Sequence, residues 1–143
     1  MPLTLHWRSE DLVIARFPPA APLPPIPAGA FFSLTRTGSE LSLVIATEHL
    51  PAGATAVEAG WRAVAVVGPL DFSLVGILSG LASTLAAAGV SLFALSTYDT
   101  DLILVRTTDK ERATTALLAA GYRLTDGLDH APRLEETVQC ETT

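Results

Sequence analysis

This 143-residue chain holds a single cysteine, Cys140, and a single lysine, Lys110. One cysteine excludes an intrachain disulfide framework. Lysine and arginine together number 9 against 15 acidic residues, a net charge of −6, and the arginines are scattered. No basic stripe is left to neutralise phosphates, which argues against nucleic acid and anionic membrane surfaces as partners. The three histidines, His6, His49 and His130, stand far apart, at no metal-ligand spacing from one another. There is no Gly-x-Ser-x-Gly elbow, and Gly68 to Gly76 contains neither the second close glycine nor the lysine of a phosphate loop. Catalytic residues, metal and cofactor are therefore all expected to be none. Met1 to Asp11 contains Trp7, Arg8, Glu10 and Asp11 and no apolar core of leader length, so a cytoplasmic protein is expected.

What the chain has is apolar surface, 49% of its residues, more than its length requires, and a homodimer interface is the expected use of the surplus. Phe72 to Tyr98 carries no charge and is long enough to span a bilayer. Seven hydroxyl residues within it, a helix stop at Gly89 and a one-sided leucine stripe point instead to a helix followed by a buried strand. Leu74, Ile77, Leu78, Leu81 and Leu85 recur at helical spacing, and Asp71 behind Pro69 is the expected N-cap. Val90 to Ser96 and Leu102 to Val105 read as strands joined by a turn, and a second helix is expected from about Asp109 to Ala120, stopped by Gly121. With strands at Trp61 to Val67 and Tyr122 to Thr125, the order is βαββαβ, the ferredoxin-like arrangement of an α+β domain.

The first half reads as short strands at Leu3 to Trp7, Leu12 to Phe17, Phe31 to Arg36 and Leu41 to Ala46, with a turn at Gly38-Ser39 and no helical period. Pro18, Pro19, Pro22, Pro24, Pro25 and Pro27 make the link between the second and third strands stiff and extended. It is read as a connector, a proline-rich recognition motif being the functional alternative. The stretch from Pro51 to Gly60 reads as the passage into a second unit, and the acidic end of the chain as a loose tail.

Polar groups concentrate at two element ends, the turn Gly68-Pro69-Leu70-Asp71-Phe72-Ser73 and the turn Ser96-Thr97-Tyr98-Asp99-Thr100-Asp101. The N–H groups and positive dipole end of a helix would receive a small carboxylate at the first. Asp99 and Asp101 fit three readings: local turn chemistry, ligand contacts, or an acid–base or metal pair. Gly76 and Gly80 would allow either close helix–sheet packing or close approach of a ligand.

Gly68-Pro69-Leu70-Asp71-Phe72, Leu85-Ala86-Ala87-Ala88-Gly89-Val90-Ser91, Ser96-Thr97-Tyr98-Asp99-Thr100-Asp101-Leu102 and Ala119-Ala120-Gly121-Tyr122 together resemble the ACT domain of the CASTOR-like, amino-acid-binding group. Phe31 to Thr37 and Leu41 to Ile45 look like the hairpin of a degenerate first unit in such proteins. The resemblance implies a degenerate, mostly β ACT-like unit over 1–58, an ACT domain over 59–126 and a flexible tail over 127–143. It also implies ligand contacts at Leu70, Asp71, Phe72, Ser73, Val75, Gly76, Thr97, Tyr98, Thr100 and Asp101, with Ser91 and Leu92 supplied by a neighbouring unit. The function implied is a non-enzymatic regulator that binds a free amino acid at an interface between ACT units, acting on a partner protein on a separate chain. The alternative is a dimerisation or interaction module with a vestigial site.

Overall fold

A computed structural model of the chain describes residues 3–67 and 76–126. The expectations placed on 68–75, among them Asp71 as an N-cap and Leu74 in the helical stripe, and those placed on 127–143, with His130 and Cys140, lie outside the described residues.

Eight strands and two helices follow in the order β1 (Thr4–Trp7), β2 (Leu12–Phe17), β3 (Phe32–Arg36), β4 (Leu41–Ala46), β5 (Ala56–Val66), α1 (Ile77–Ala87), β6 (Leu92–Ser96), β7 (Asp101–Arg106), α2 (Lys110–Ala119) and β8 (Arg123–Asp126). From β5 to β8 the elements follow the expected βαββαβ order, and the domain is α+β and ferredoxin-like. One boundary differs from expectation. Strand β5 starts at Ala56, inside the stretch read as a passage, because its first residues pair with β2 rather than with the core and so carry no apolar signal. Helix α1 is described from Ile77, with Gly76 in the N-cap position left-handed, at φ 85°.

Long strand β5 organises the sheet. Trp61 pairs with Leu12 on one side and Arg106 on the other, and Val64 pairs with Trp7 and Ile103. Strands β2 and β1 therefore follow each other along one edge of β5, and β7 holds the opposite edge. The helix-bearing part runs β8-β1-β5-β7-β6, with β1 inserted parallel to β8 and antiparallel to β5. The other part runs β3-β4-β2-β5. Between them the register shifts at Leu12/Val13, and Gly60, at φ 81°, is the extra residue on β5. A β-bulge with glycine in the left-handed region bends a strand and increases its twist. The bend lets Leu12 and Val44 join Trp61, Ala63, Leu102 and Leu104 in one buried cluster on the helix-free face.

The helices cover the other face. Leu81 and Leu85 of α1 and Ala113 and Leu117 of α2 pack on Leu5, Trp7, Val64, Val66, Ile103 and Val105. Strand β7 is buried on both faces, Leu102 and Leu104 to one side and Ile103 and Val105 to the other, as period-two alternation requires of a strand sandwiched between two cores. A third cluster, Val13, Ala15, Phe17, Leu41, Leu43 and Ile45, is roofed by Ala21 and Ile26 of the proline-rich link and by Leu50 and Ala54. No helix among the described residues is long and apolar enough to cross a membrane.

Candidate functional site

The β6–β7 turn is built by its own hydroxyls. Thr97 N–H donates to the Thr100 carbonyl at 2.8 Å, and the Thr97 hydroxyl donates to the same carbonyl at 3.1 Å while accepting from Thr100 N–H at 3.2 Å. Just inside the turn, Ser96 and Asp101 face each other across the strand pair, and the Ser96 hydroxyl donates to the Asp101 carboxylate at 2.7 Å. As turn residues only, the aspartates would satisfy local backbone N–H groups. Among the described bonds that role belongs to the Thr97 hydroxyl, and Asp101 instead accepts from a side chain.

This turn is fastened to the end of β5. The Thr100 hydroxyl donates to the Val66 carbonyl at 2.6 Å, and the next residue, Val67, donates its N–H to the Thr4 carbonyl at 2.9 Å. The start of β1, the end of β5 and the β6–β7 turn are thus at one end of the sheet. Sequence reasoning does not single out Thr4 or Val66, whose contribution is backbone carbonyls that any residue would supply. Tyr98, at the tip of the turn, is 81% exposed. Gly76 is exposed, and a Cβ there would meet nothing within 4 Å, so its positive φ rather than crowding explains glycine. At Gly80 the reverse holds: a Cβ would lie 3.1 Å from the Tyr122 hydroxyl, so close packing is its role.

Of the expected contacts, Thr97, Tyr98, Thr100 and Asp101 lie in that turn or at its edge and Gly76 stands before α1, whereas Leu70, Asp71, Phe72, Ser73 and Val75 lie outside the described residues. Ser91 and Leu92 do not join them. Leu92 opens β6 opposite Val105, and Ser96 closes it opposite Asp101. Four residue steps at about 3.3 Å each put roughly 13 Å between those positions. Within one chain the two sets are at opposite ends of a strand.

Strand β6 pairs only with β7 among the described strands, so its outer edge is unpartnered. It reads Leu92-Phe93-Ala94-Leu95-Ser96, without charge, proline or glycine. The other two edge strands, β3 and β8, each carry charged residues, Arg36 in one and Arg123 and Asp126 in the other. Charges on an edge oppose strand addition, and β6 has none. Helix α1 is likewise uncharged along its whole length.

A groove of about 590 Å³ lies elsewhere, between α2 and β8, lined by Trp7, Lys110, Glu111, Thr114, Thr115, Leu118, Leu124 and Thr125. The Trp7 indole N–H donates to the Thr114 hydroxyl at 3.1 Å on its wall. None of the expected site residues lines it. Among the described residues no group of three or more His, Cys, Asp or Glu side chains is placed to hold a metal ion.

Residues 56–119 match the family model for the ACT domain. The chain is similar to protein Atu0741 from Agrobacterium tumefaciens, a solved structure 32% identical, over 91% of this chain and 97% of that one, with a TM-score of 0.81. The fold is also similar to that of the ligand-free regulatory subunit of aspartate kinase from Thermus thermophilus, at 11% identity and a TM-score of 0.57 over 82% of this chain and 96% of that one. Aspartate kinase from Synechocystis shares it too, at 17% identity and a TM-score of 0.62, over 89% of this chain and 28% of the kinase. No curated protein matches the chain at a significant level.

Proposed function

From the ACT domain matched over residues 56–119 we propose that the chain is a cytoplasmic regulator of the CASTOR-like kind that binds a free amino acid between two copies of itself. The observation that carries the reading is the uncharged edge of β6. If two copies pair through that edge in antiparallel fashion, the start of one β6 meets the end of the other. Ser91 and Leu92 of a second copy then come beside Thr97, Thr100 and Asp101, and the two sets that one chain holds roughly 13 Å apart close into one composite site. The α-carboxylate of the ligand takes N–H donors at the N-terminal turn of α1, and its ammonium takes carbonyl oxygens and the Asp101 carboxylate. Ligand and dimer stabilise each other, and the difference in affinity between the two states is what a regulated protein on another chain would read.

A second reading, a dimerisation module with a vestigial site, has one observation in its favour. Ser96, Thr97, Thr100 and Asp101 already bond to one another or to Val66. Thermal unfolding against each of the twenty amino acids at millimolar concentration separates the two. A ligand present at about 100 times its dissociation constant adds about 2.7 kcal/mol, so one selective shift supports the sensor and a flat panel overturns it. Ala94→Lys, at an exposed position of β6, is expected to abolish both the dimer in sedimentation and the selective shift. A variant that stays dimeric would remove β6 as the interface.

A further inference from the structure

The proline-rich link between β2 and β3 is a built feature, and its outward side has no role in the site above. Two β-turns close it: Ala21 N–H donates to the Pro18 carbonyl at 3.0 Å, and Ala30 N–H donates to the Pro27 carbonyl at 3.1 Å. At the first of these turns Arg36 of β3 clamps the segment, its guanidinium donating to the Pro19 carbonyl and, at 2.6 Å, to the Ala21 carbonyl. Ala21 and Ile26 pack into the cluster beneath. Four of the seven residues from Ala21 to Pro27 are proline, with φ fixed near −65° and no N–H to give to a ladder. From Ala21 to Pro25 the burial repeats every three residues, as in an extended helix of three residues per turn, and Ile26 then turns into the cluster beneath. Ala21 and Pro24, three apart, are half-buried, while Pro22 and Pro25, also three apart, are exposed, and Leu23 beside them is 66% exposed.

We propose that this strap is a docking ligand, and that its partner is a protein domain with an aromatic-walled groove that reads polyproline II segments. Pro22-Leu23-Pro24-Pro25 is a P-x-x-P sequence, the spacing such grooves accept, with Pro22 and Pro25 on one ridge and Leu23 on the next. A free peptide of this kind is already stiff; here two turns and the Arg36 clamp fix it further, so little ordering cost is left for binding. The ridge faces away from the sheet it roofs, so a partner can seat on it without disturbing Ala21 or Ile26. Among the described residues Leu23 is one of the few large apolar side chains left mostly to solvent.

The test is a titration of ¹⁵N-labelled protein with purified SH3 and WW domains, both of which carry such grooves. The expected result is that at least one domain shifts the amides of Ala20, Ala21, Leu23 and Ile26 and leaves those of α1 and α2 in place. Leu23→Ser changes only an exposed side chain, and the double variant Pro22→Ala/Pro25→Ala removes the ridge. Each is expected to weaken binding at least tenfold with the rest of the spectrum unchanged. Absence of any shift with both domain classes at millimolar concentration overturns the proposal, as does equal binding by wild type and both variants. Neither outcome touches the amino-acid site, since strap and site are read by different resonances.

Discussion

Two stretches of the chain build the same unit under different roofs. In the first, β2 and β3 are parallel with β4 between them, and residues 18–31 cross over the face. In the second, β5 and β6 are parallel with β7 between them, and α1 crosses over. The hairpins correspond at an offset of 60 residues. Thr37 N–H donates to the Glu40 carbonyl at 2.9 Å and Glu40 N–H to the Thr37 hydroxyl at 3.2 Å, as Thr97 and Thr100 do in the second unit. A single 3-10 turn follows each hairpin, Thr47–His49 and Thr107–Asp109, entered from Ala46 at φ −59°, ψ 139° and from Arg106 at φ −58°, ψ 139°. The crossovers are where they part: six prolines in one forbid a helix, and the other is an uncharged helix. A sheet face needs apolar cover, and a clamped strap supplies it as a helix does, though the cover it gives is thinner. Leu81 and Leu85 of α1 are wholly buried, whereas Ala21 and Ile26 of the strap are only partly so.

Truncating each roof measures that difference. Leu85→Ala removes a side chain that is 0% exposed and is expected to cost about 2–5 kcal/mol in urea unfolding, the largest effect among these variants. Ile26→Ala removes a partly buried one and is expected to cost no more than about 1–2 kcal/mol, since less apolar area returns to water. Equal costs would mean that the strap roofs its core as firmly as α1 does.

Next in size is the bend that joins the two units. Gly60→Ala adds a Cβ that meets nothing within 4 Å, so the penalty comes from the backbone alone, at φ 81°. An L-residue in that region costs about 1–2 kcal/mol. A substitution without effect on the denaturation midpoint would show that the bend does not need the left-handed residue.

Smaller again is a matched pair of hairpin variants. Thr37→Val and Thr97→Val each delete one hydroxyl that serves its turn, and each is expected to cost about 0.5–1.5 kcal/mol, the two values agreeing within experimental error if the units are equivalent. Only Thr97→Val is expected to reduce the amino-acid-dependent thermal shift. A reduction by Thr37→Val of the same size would place the ligand at the first hairpin as well.

The second unit is legible in the sequence because its signals are local. The leucine stripe, Gly89 and Gly121 as helix stops, and four consecutive apolar residues in β7 are all readable within a few positions. The insertion of β1 between β8 and β5 is not, because its register is set by pairings across more than a hundred residues, such as Leu5 with Leu124. Nor is the β2–β5 pairing, since Ala56 to Gly60 is exposed and shows no apolar alternation. The boundary expected at 58/59 falls inside β5 for the same reason. At the site, sequence spacing puts Thr97 to Asp101 at a strand-to-strand turn, but the bond that ties the turn to Val66 depends on a rotamer and a neighbouring strand. Resemblance alone assigns Ser91 and Leu92 to a neighbour, and the length of β6 keeps them apart from the β6–β7 turn within one chain.

Gly80→Ala is the smallest effect and the one whose sign carries information. In a helix interior alanine is favoured over glycine by about 1 kcal/mol, because glycine loses more backbone freedom on folding. Opposing it, the new Cβ would stand 3.1 Å from the Tyr122 hydroxyl, and the ring must give by a few tenths of an ångström. Tyr122 is half-buried and packed on the helix-side core, so that movement is resisted by the residues around it. The two terms nearly cancel, and a net change within about 0.5 kcal/mol is expected in wild type. In a Tyr122→Phe background the hydroxyl is gone, and the same substitution is expected to stabilise by most of the propensity term, about 0.5–1 kcal/mol. The denaturation midpoint at unchanged m-value reads both steps, and the difference between backgrounds is the coupling between the two positions. No difference would mean that Gly80 is held by something other than the ring beside it, and the small-residue face of α1 would then need a partner to explain it.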